Sequence, residues 1–222
     1  MTQPTPPLEV VVLAAGQGKR MASAMPKVLH PLAGRPLLRH VLDTVATLSP
    51  AAVHLVVGHG ADRVQAAFEG EAVSWVEQSQ RLGTGHAVAQ AMPDVADDAV
   101  VLVVYGDVPL IGRGVLEDAA RQAAAGRLAV VTATLEDPAE LGRIVRQDGE
   151  ITGIVEYRDA DESQRAIREI NSGIMAAPKR LLAPWLDRLS PENAQAEYYL
   201  TDTVAMAVAD GVPGAGLCVD DP

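Results

Sequence analysis

One apolar run constrains the fold of this chain most strongly. Residues 99–105 read Ala-Val-Val-Leu-Val-Val-Tyr, without a charged residue or an apolar–polar alternation. A strand with one solvated face alternates apolar and polar residues, whereas a strand buried on both faces is apolar throughout. Strands of the second kind belong to parallel sheets covered by helices on both sides. The run therefore predicts the central strand of an α/β protein.

The first half of the chain repeats this pattern. Further apolar runs at 9–15, 53–57 and 73–77 alternate with amphipathic segments. The predicted helices cover 36–48, 61–68, 84–92 and 114–125, with Pro36 suited to the first helical position. A β-α-β-α order of this kind predicts a doubly wound, mostly parallel, Rossmann-like sheet with right-handed crossovers.

The second half is more mixed. It contains predicted strands at 128–135, 143–146, 151–156, 170–177 and 214–219, and predicted helices at 178–189 and 199–209. The pair Asp148-Gly149 between two short strands is a strong hairpin signal. Since the chain shows no internal repeat and no long linker, we expect one domain over residues 1–222, with the hairpin as a small lobe over the site.

Composition limits the partners and the compartment. The net charge of −11 argues against general nucleic-acid binding, which uses a basic face. Cys218 is the single cysteine, so no disulfide framework is expected and a reducing compartment is favoured. Neither a signal peptide nor a membrane-spanning run is found. We expect a cytoplasmic protein that binds neither nucleic acid nor membrane.

A glycine-rich turn after the first strand indicates phosphate binding. It reads Leu-Ala-Ala-Gly-Gln-Gly-Lys-Arg-Met from Leu13 to Met21, and Pro26-Lys27 follows. Glycines let backbone N–H groups approach a phosphate, and Lys19, Arg20 and Lys27 can neutralise it. A dinucleotide fingerprint would need glycine at position 21, and the spacing does not fit a Walker A loop. An ordinary glycine turn is the alternative, but it leaves the clustered basic residues unexplained.

Two other segments have functional and ordinary interpretations. Tyr105-Gly106-Asp107 ends the central strand, where a carboxylate can hold Mg²⁺ beside nucleotide phosphates, or can simply form a turn. Thr84, between Gly83 and Gly85, can contact a base or sugar or merely cap a helix. The histidines lack metal-ligand spacing, and His86 is interpreted as a packed helix residue. No nucleophile elbow is present.

Taken together, these motifs resemble one enzyme family. They are the first loop with Pro-Lys-Val-Leu, Leu-Gly-Thr-Gly-His-Ala, Tyr-Gly-Asp-Val-Pro-Leu, Gly-Arg-Ile, Gly-Ile-Val-Glu, Glu-Ile-Asn-Ser-Gly-Ile and Ala-Glu-Tyr-Tyr-Leu-Thr-Asp. In this order they resemble the uridyltransferase domain of the bacterial bifunctional N-acetylglucosamine-1-phosphate uridyltransferases/glucosamine-1-phosphate acetyltransferases. The resemblance runs from about Val10 to about Val208. It implies a nucleotide-diphospho-sugar transferase fold.

The resemblance also implies an activity and a set of site residues. The activity is Mg²⁺-dependent reaction of UTP with N-acetyl-α-D-glucosamine 1-phosphate, which gives UDP-N-acetylglucosamine and pyrophosphate for peptidoglycan and lipopolysaccharide precursors. Catalytic roles fall on Arg20, Lys27 and Asp107, with Asp107 as the metal ligand. The implied substrate-binding residues are Leu13, Ala14, Ala15, Gly16 and Lys27 for the phosphates, Gln78 and Gly83 for uracil, Thr84, Tyr105, Gly142, Glu156 and Asn171 for the amino sugar, and Gly106 beside Asp107.

The chain also departs from the family pattern. Leu141 stands where tyrosine is usual, and the Gly-Val-Asn segment that supplies the family's second metal ligand does not occur before Pro222. The hexapeptide-repeat acetyltransferase domain, on which the family's trimer depends, is likewise outside this sequence. We therefore expect a truncated protein and a monomer. Two alternatives stay open: transfer to another sugar phosphate or from CTP, and a UDP-sugar-binding module without turnover.

Overall fold

The computed structural model of the protein describes residues 5–16, 23 and 25–219. The strands are β1 Leu8–Ala14, β2 Pro31–Leu32, β3 Arg35–Pro36, β4 Ala52–Val57, β5 Ser74–Glu77, β6 Val100–Tyr105, β7 Leu128–Thr134, β8 Arg143–Gln147, β9 Glu150–Val155, β10 Glu169–Pro178 and β11 Gly214–Val219. The helices are α1 Leu37–Ala46, α2 Ala61–Ala67, α3 Thr84–Ala91, α4 Arg113–Ala124, α5 Glu162–Arg165, α6 Lys179–Asp187 and α7 Asp202–Ala209. Within this described part of the chain, none of the helices has the length and apolar character needed to cross a membrane.

The main sheet has the strand order β11-β7-β10-β6-β1-β4-β5. Strands β6, β1, β4 and β5 run parallel to one another, as do β11 and β7. Strand β10 is antiparallel to both neighbours, β6 and β7. The predicted doubly wound, mostly parallel sheet is thereby confirmed, with the continuous apolar run forming the buried strand β6.

Alternate strand residues fill two separate cores. On one face Val11, Val101 and Val103 pack with α3, α6 and α7. On the other face Val12 and Leu102 pack with α1, α2 and α4. Both faces of the sheet are therefore sealed by helices, and binding groups are left to the strand ends.

The predicted hairpin forms at Asp148-Gly149. Both residues adopt positive φ, 52° and 85°, which a two-residue turn between twisted strands requires. Strands β8 and β9 pair with each other, and Arg143 pairs with Ile170 of β10. Strand β9 also packs against α7, so the hairpin extends the sheet instead of standing free above it.

Four helix starts differ from the sequence prediction, those of α4 and α6 by one residue each and those of α1 and α7 for identifiable structural reasons. Pro36 is extended and pairs with Pro31, so it precedes α1 instead of occupying the first helical position. Residues 199–201 lie outside α7, which begins at Asp202. Here the Leu200 N–H donates to the Thr84 hydroxyl at 3.2 Å, and this tertiary contact holds the segment away from the helix.

Candidate functional site

The site lies at the carboxyl edge of the parallel strands. Leu13 near the end of β1 is in register with Tyr105 at the end of β6. The Gly106 N–H continues the ladder by donating to the Leu13 carbonyl at 2.9 Å. This bond fixes where the chain leaves β6, and with it the position of Asp107.

The glycine-rich loop begins at this edge. Ala14 and Ala15 are buried and Gly16 is exposed, so the loop comes to the surface at that glycine. Gly58 lies against Ala15, and a Cβ on Gly58 would come within 3.0 Å of the alanine methyl. The proposed phosphate ligand Arg20 lies outside the described residues, as does Lys19.

Lys27 and Asp107 form an ion pair directly beside this loop. The Lys27 Nζ contacts Asp107 Oδ2, and the side chains are 41% and 21% exposed. An ammonium on a flexible stem can exchange a carboxylate for a phosphate without leaving the site. The pair therefore places an ammonium group beside a carboxylate, and a carboxylate is a ligand suited to a divalent metal.

Asp107 is compatible with Mg²⁺ only when a substrate shares the coordination. Within the described residues, no group of three or more histidine, cysteine or acidic side chains is placed to hold a metal ion. Mg²⁺ commonly binds through one or two carboxylates, with water and phosphate oxygens completing the octahedron. A single accessible carboxylate next to a phosphate loop fits that pattern.

Gln78 and Gly83 form a second pocket next to β5. The Gln78 side chain is nearly buried, and its Nε2 donates to the Gly83 carbonyl at 3.0 Å. Gly83 has a φ of 108°, and a Cβ there would come within 2.6 Å of the Tyr198 carbonyl oxygen. Only glycine fits this turn, so the backbone of Gly83 stays close to the Gln78 amide.

Thr84 and Tyr105 lie between this pocket and the residues of β10 on the same edge of the sheet. Thr84 is the first residue of α3, and Tyr105 is the last of β6. Burial raises the pKa of Tyr105 far above its usual value; the Glu156 carboxylate adds to this, and a hydrogen bond with Thr84 opposes it. Gly173 lies against the Tyr105 ring, where a Cβ would be 2.6 Å from Cε2. Gly173 therefore limits the position of the Tyr105 ring, and the raised pKa keeps the phenol hydroxyl protonated and able to form hydrogen bonds.

Gly142, Glu156 and Asn171 converge beyond Tyr105. The Asn171 N–H donates to the Gly142 carbonyl at 2.9 Å. A Cβ on Gly142 would lie 3.5 Å from Glu156 Oε2, so the carboxylate stands directly over this glycine. Because β10 is antiparallel to β6, its amino-terminal residues reach the same edge as Asp107. The three residues form a polar pocket with carboxylate and amide groups.

Glu156 occupies an electrostatically unfavourable position. Burial raises its pKa, and the nearby carboxylates of Asp202, Asp159 and Glu197 act in the same direction. The Thr201 hydroxyl donates to Glu156 Oε1 at 3.0 Å and partly offsets this effect. A carboxylate kept at such a cost to stability is typical of a functional site.

Sequence reasoning missed three contributors to this edge. Gly173 supports Tyr105, Thr201 holds Glu156, and His86 Nδ1 lies 3.0 Å from Gln78 Nε2. Their motifs were visible, but each acts through a residue outside its own helix or strand. The local signal for Gly173 was its position inside a strand, which often marks close backbone approach.

The chain matches known proteins over most of its length. Residues 10–196 match the MobA-like NTP transferase domain family. The bifunctional protein GlmU of Herminiimonas arsenicoxydans is 52% identical over 205 residues, 92% of this chain and 45% of that protein. GlmU of Xanthomonas campestris pv. campestris strain 8004 is 54% identical over 220 residues, 98% of this chain and 48% of that protein. The chain thus spans about half the length of these curated relatives, and the matches confirm the resemblance drawn from its motifs.

A solved structure agrees on the fold. The crystal structure of UDP-glucose pyrophosphorylase complexed with UDP-glucose aligns with a TM-score of 0.78 and 17% identity, covering 94% of this chain and 90% of that chain. At this identity the likeness concerns the arrangement of strands and helices. The family match, by contrast, is a match of the amino-acid sequence itself and covers residues 10–196. The protein therefore belongs to the MobA-like NTP transferase domain family.

Proposed function

We propose that this chain transfers a uridylyl group from UTP to N-acetyl-α-D-glucosamine 1-phosphate. The products are UDP-N-acetylglucosamine and pyrophosphate. The observation that carries the proposal is the placement of Lys27 and Asp107 between two polar pockets on one sheet edge. The Gln78 pocket lies beside β5, and the Asn171 pocket lies on β10, on opposite sides of β1 and β6. A base and a sugar held there would place their phosphates at the ion pair.

The reaction needs positioning and charge neutralisation and no protein nucleophile. A phosphate oxygen of the sugar phosphate attacks the α-phosphorus of UTP, and the bond from that phosphorus to the pyrophosphate oxygen breaks. The two substrates repel each other, so their alignment lowers the barrier most. Lys27 would stabilise negative charge on the transferring group, and Arg20 is proposed to assist.

Asp107 is proposed to hold Mg²⁺ together with the substrate phosphates. When bound, the ion would supply Lewis-acid stabilisation of the phosphoryl oxygens. With Asp107 so engaged, the Lys27 ammonium, which pairs with that carboxylate in the structure, would be available to a substrate phosphate.

The other substrate contacts follow from the two pockets. The backbone from Leu13 to Gly16 would bind the UTP phosphates, and Gln78 with Gly83 would bind uracil. Glu156 would accept hydrogen bonds from sugar hydroxyls, and Asn171 can both donate and accept. The proposed amino-sugar ligands also include Thr84, Tyr105 and Gly142, with Gly106 next to the metal site.

Exchange of Asp107 for asparagine tests the proposal. Asp107→Asn keeps the shape and removes the charge, and we expect kcat to fall by about 10²–10³-fold in a pyrophosphate-release assay. Asp118→Asn is the matched control, because Asp118 lies on α4 in an exposed ion pair with Arg121. Nearly normal turnover by Asp107→Asn would refute the assigned role.

Calorimetry separates the proposed enzyme from its alternatives. Binding of UDP-N-acetylglucosamine without turnover would favour a binding module. Faster turnover with glucose 1-phosphate, or with CTP in place of UTP, would replace the proposed substrates. We further propose a single domain over residues 1–222 that acts as a monomer in the cytoplasm; sedimentation of the purified chain tests the monomer.

A further inference from the structure

The Gln78 amide uses both of its protons within the protein. Its Nε2 donates to the Gly83 carbonyl at 3.0 Å and lies 3.0 Å from His86 Nδ1. A backbone carbonyl can only accept, so the atom that faces it must be the amide nitrogen and not the amide oxygen. The orientation of the amide is therefore fixed by its partners, and Oε1 is the group left for a ligand.

His86 must be neutral in this arrangement. The second amide proton points to Nδ1, so Nδ1 accepts and the ring proton resides on Nε2. Burial lowers the pKa of His86, and its place in the first turn of α3 also disfavours a positive charge. The Gln90 amide, 3.4 Å from Nε2, accepts that proton once its oxygen and nitrogen are interchanged.

We propose that His86 is a positioning residue that makes Gln78 select uracil over cytosine. The proposal rests on the proposed function, since it concerns how that site reads the nucleotide base. His86 itself does not touch the base. It accepts the amide proton that would otherwise be free to reorient, and so presents Oε1 to the ligand.

The selection follows from hydrogen-bond direction. Uracil carries a proton on N3, which Oε1 accepts, whereas N3 of cytosine is itself an acceptor and repels Oε1. To bind cytosine, the amide would have to turn its oxygen toward the Gly83 carbonyl and His86 Nδ1. The Gly83 carbonyl can only accept, and His86 could donate to the turned amide only by moving its proton from Nε2 to Nδ1, away from Gln90. The turned amide therefore loses its bond to Gly83 and forces a change of tautomer on His86. Without His86, only one of these two obstacles remains.

Two variants of equal shape isolate the acceptor. His86→Leu and His86→Asn both remove the ring, including its contact with Tyr198. Asparagine keeps an oxygen at the position of Nδ1, and leucine does not. We expect His86→Leu to lower the ratio of UTP to CTP affinity, measured by calorimetry, by about 3–10-fold, the equivalent of one hydrogen bond. His86→Asn should keep the ratio within about twofold of wild type, and thermal melting verifies that both variants are folded.

The outcomes separate this inference from the proposed function. A wild-type protein that binds UTP and CTP equally would overturn the inference, whereas the proposed function is decided separately by pyrophosphate release with UTP and with CTP. If the wild type prefers UTP and His86→Leu keeps the full preference, the positioning role is wrong and the function stands. If the leucine and asparagine variants lose the preference to the same degree, the ring and not its acceptor is responsible, and the proposal also fails.

Discussion

The absence of a side chain at Gly173 determines where the Tyr105 ring can lie. Gly173 combines a φ of 89° with a position where a Cβ would overlap the Tyr105 ring at 2.6 Å. Alanine there must displace the Tyr105 ring, which is proposed to contact the amino sugar. We expect Gly173→Ala to raise the KM for the sugar phosphate by about tenfold or more in the pyrophosphate-release assay, because small displacements of positioning groups are costly.

Gly70→Ala is the control for this prediction. Gly70 has a φ of 86°, and a Cβ there would meet nothing within 4 Å. Alanine at either position bears the same backbone penalty, about 1–2 kcal/mol. An equal effect of both variants on the sugar-phosphate KM would show that backbone strain and not contact with Tyr105 is responsible.

Glu156 is expected to lower the stability of the protein at neutral pH. Because burial raises its pKa, the folded protein binds the proton more tightly than the unfolded chain. The protonated form therefore supports folding at low pH, and this support is lost as the pH rises past the raised pKa. We expect Glu156→Gln to stabilise the protein by on the order of 1 kcal/mol at about pH 7.5.

The measurement is the free energy of unfolding in urea across a pH series. The increase in the free energy of unfolding caused by Glu156→Gln should shrink as the pH approaches about 4, because Glu156 itself is then protonated and uncharged. The same variant should weaken sugar-phosphate binding. A gain that persists unchanged at low pH would contradict the assigned cause.

At the level of elements, the segment 198–201 joins the two pockets. The Tyr198 carbonyl accepts from the Gly85 N–H at 2.8 Å, and the Leu200 N–H donates to the Thr84 hydroxyl. Thr201, the next residue, donates to Glu156. Residues 198–201 thus fix the start of α3 relative to Glu156, which follows β9.

Loss of the Thr201 hydroxyl should affect one pocket selectively. We expect Thr201→Val to raise the KM for the sugar phosphate by about tenfold, since a hydrogen bond to a charged group is lost, and to leave the KM for UTP nearly unchanged. Thr44→Val is the control, because the Thr44 hydroxyl donates to the His40 carbonyl within α1 and not to Glu156. Equal changes in both KM values would exclude the selective role.

At the level of the whole molecule, stability depends on the two cores that share the sheet. Leu102 in β6 is fully buried in one of them. We expect Leu102→Ala to reduce the free energy of unfolding by about 2–5 kcal/mol, because it leaves a cavity in the central strand. Urea denaturation measures this loss. Leu110→Ala, at a side chain that is 83% exposed, should change stability by less than about 0.5 kcal/mol.

The sequence by itself determined the architecture of this protein. Continuous apolar runs, helical periodicity and the Asp148-Gly149 turn are local signals, and they predicted the strands of the main sheet, the hairpin and six of the helices to within a few residues. The short elements β2, β3 and α5 were not predicted. Local chemistry also placed Asp107 at the end of β6 and the glycine loop after β1. The proposed roles of those residues came from the resemblance between their motifs and a known family.

Only the tertiary structure decided how the site is held together. Because β10 runs antiparallel to β6, Asn171 and Gly173 lie at the edge of the sheet where β6 ends with Tyr105. The direction of a strand within a sheet is not encoded in that strand's own residues. The contacts of Thr201 with Glu156 and of His86 with Gln78 depend on how separate elements pack. Hydrogen bonds between distant segments arise from packing and leave no periodic signal in the sequence, so these positioning residues could be identified only from the folded chain.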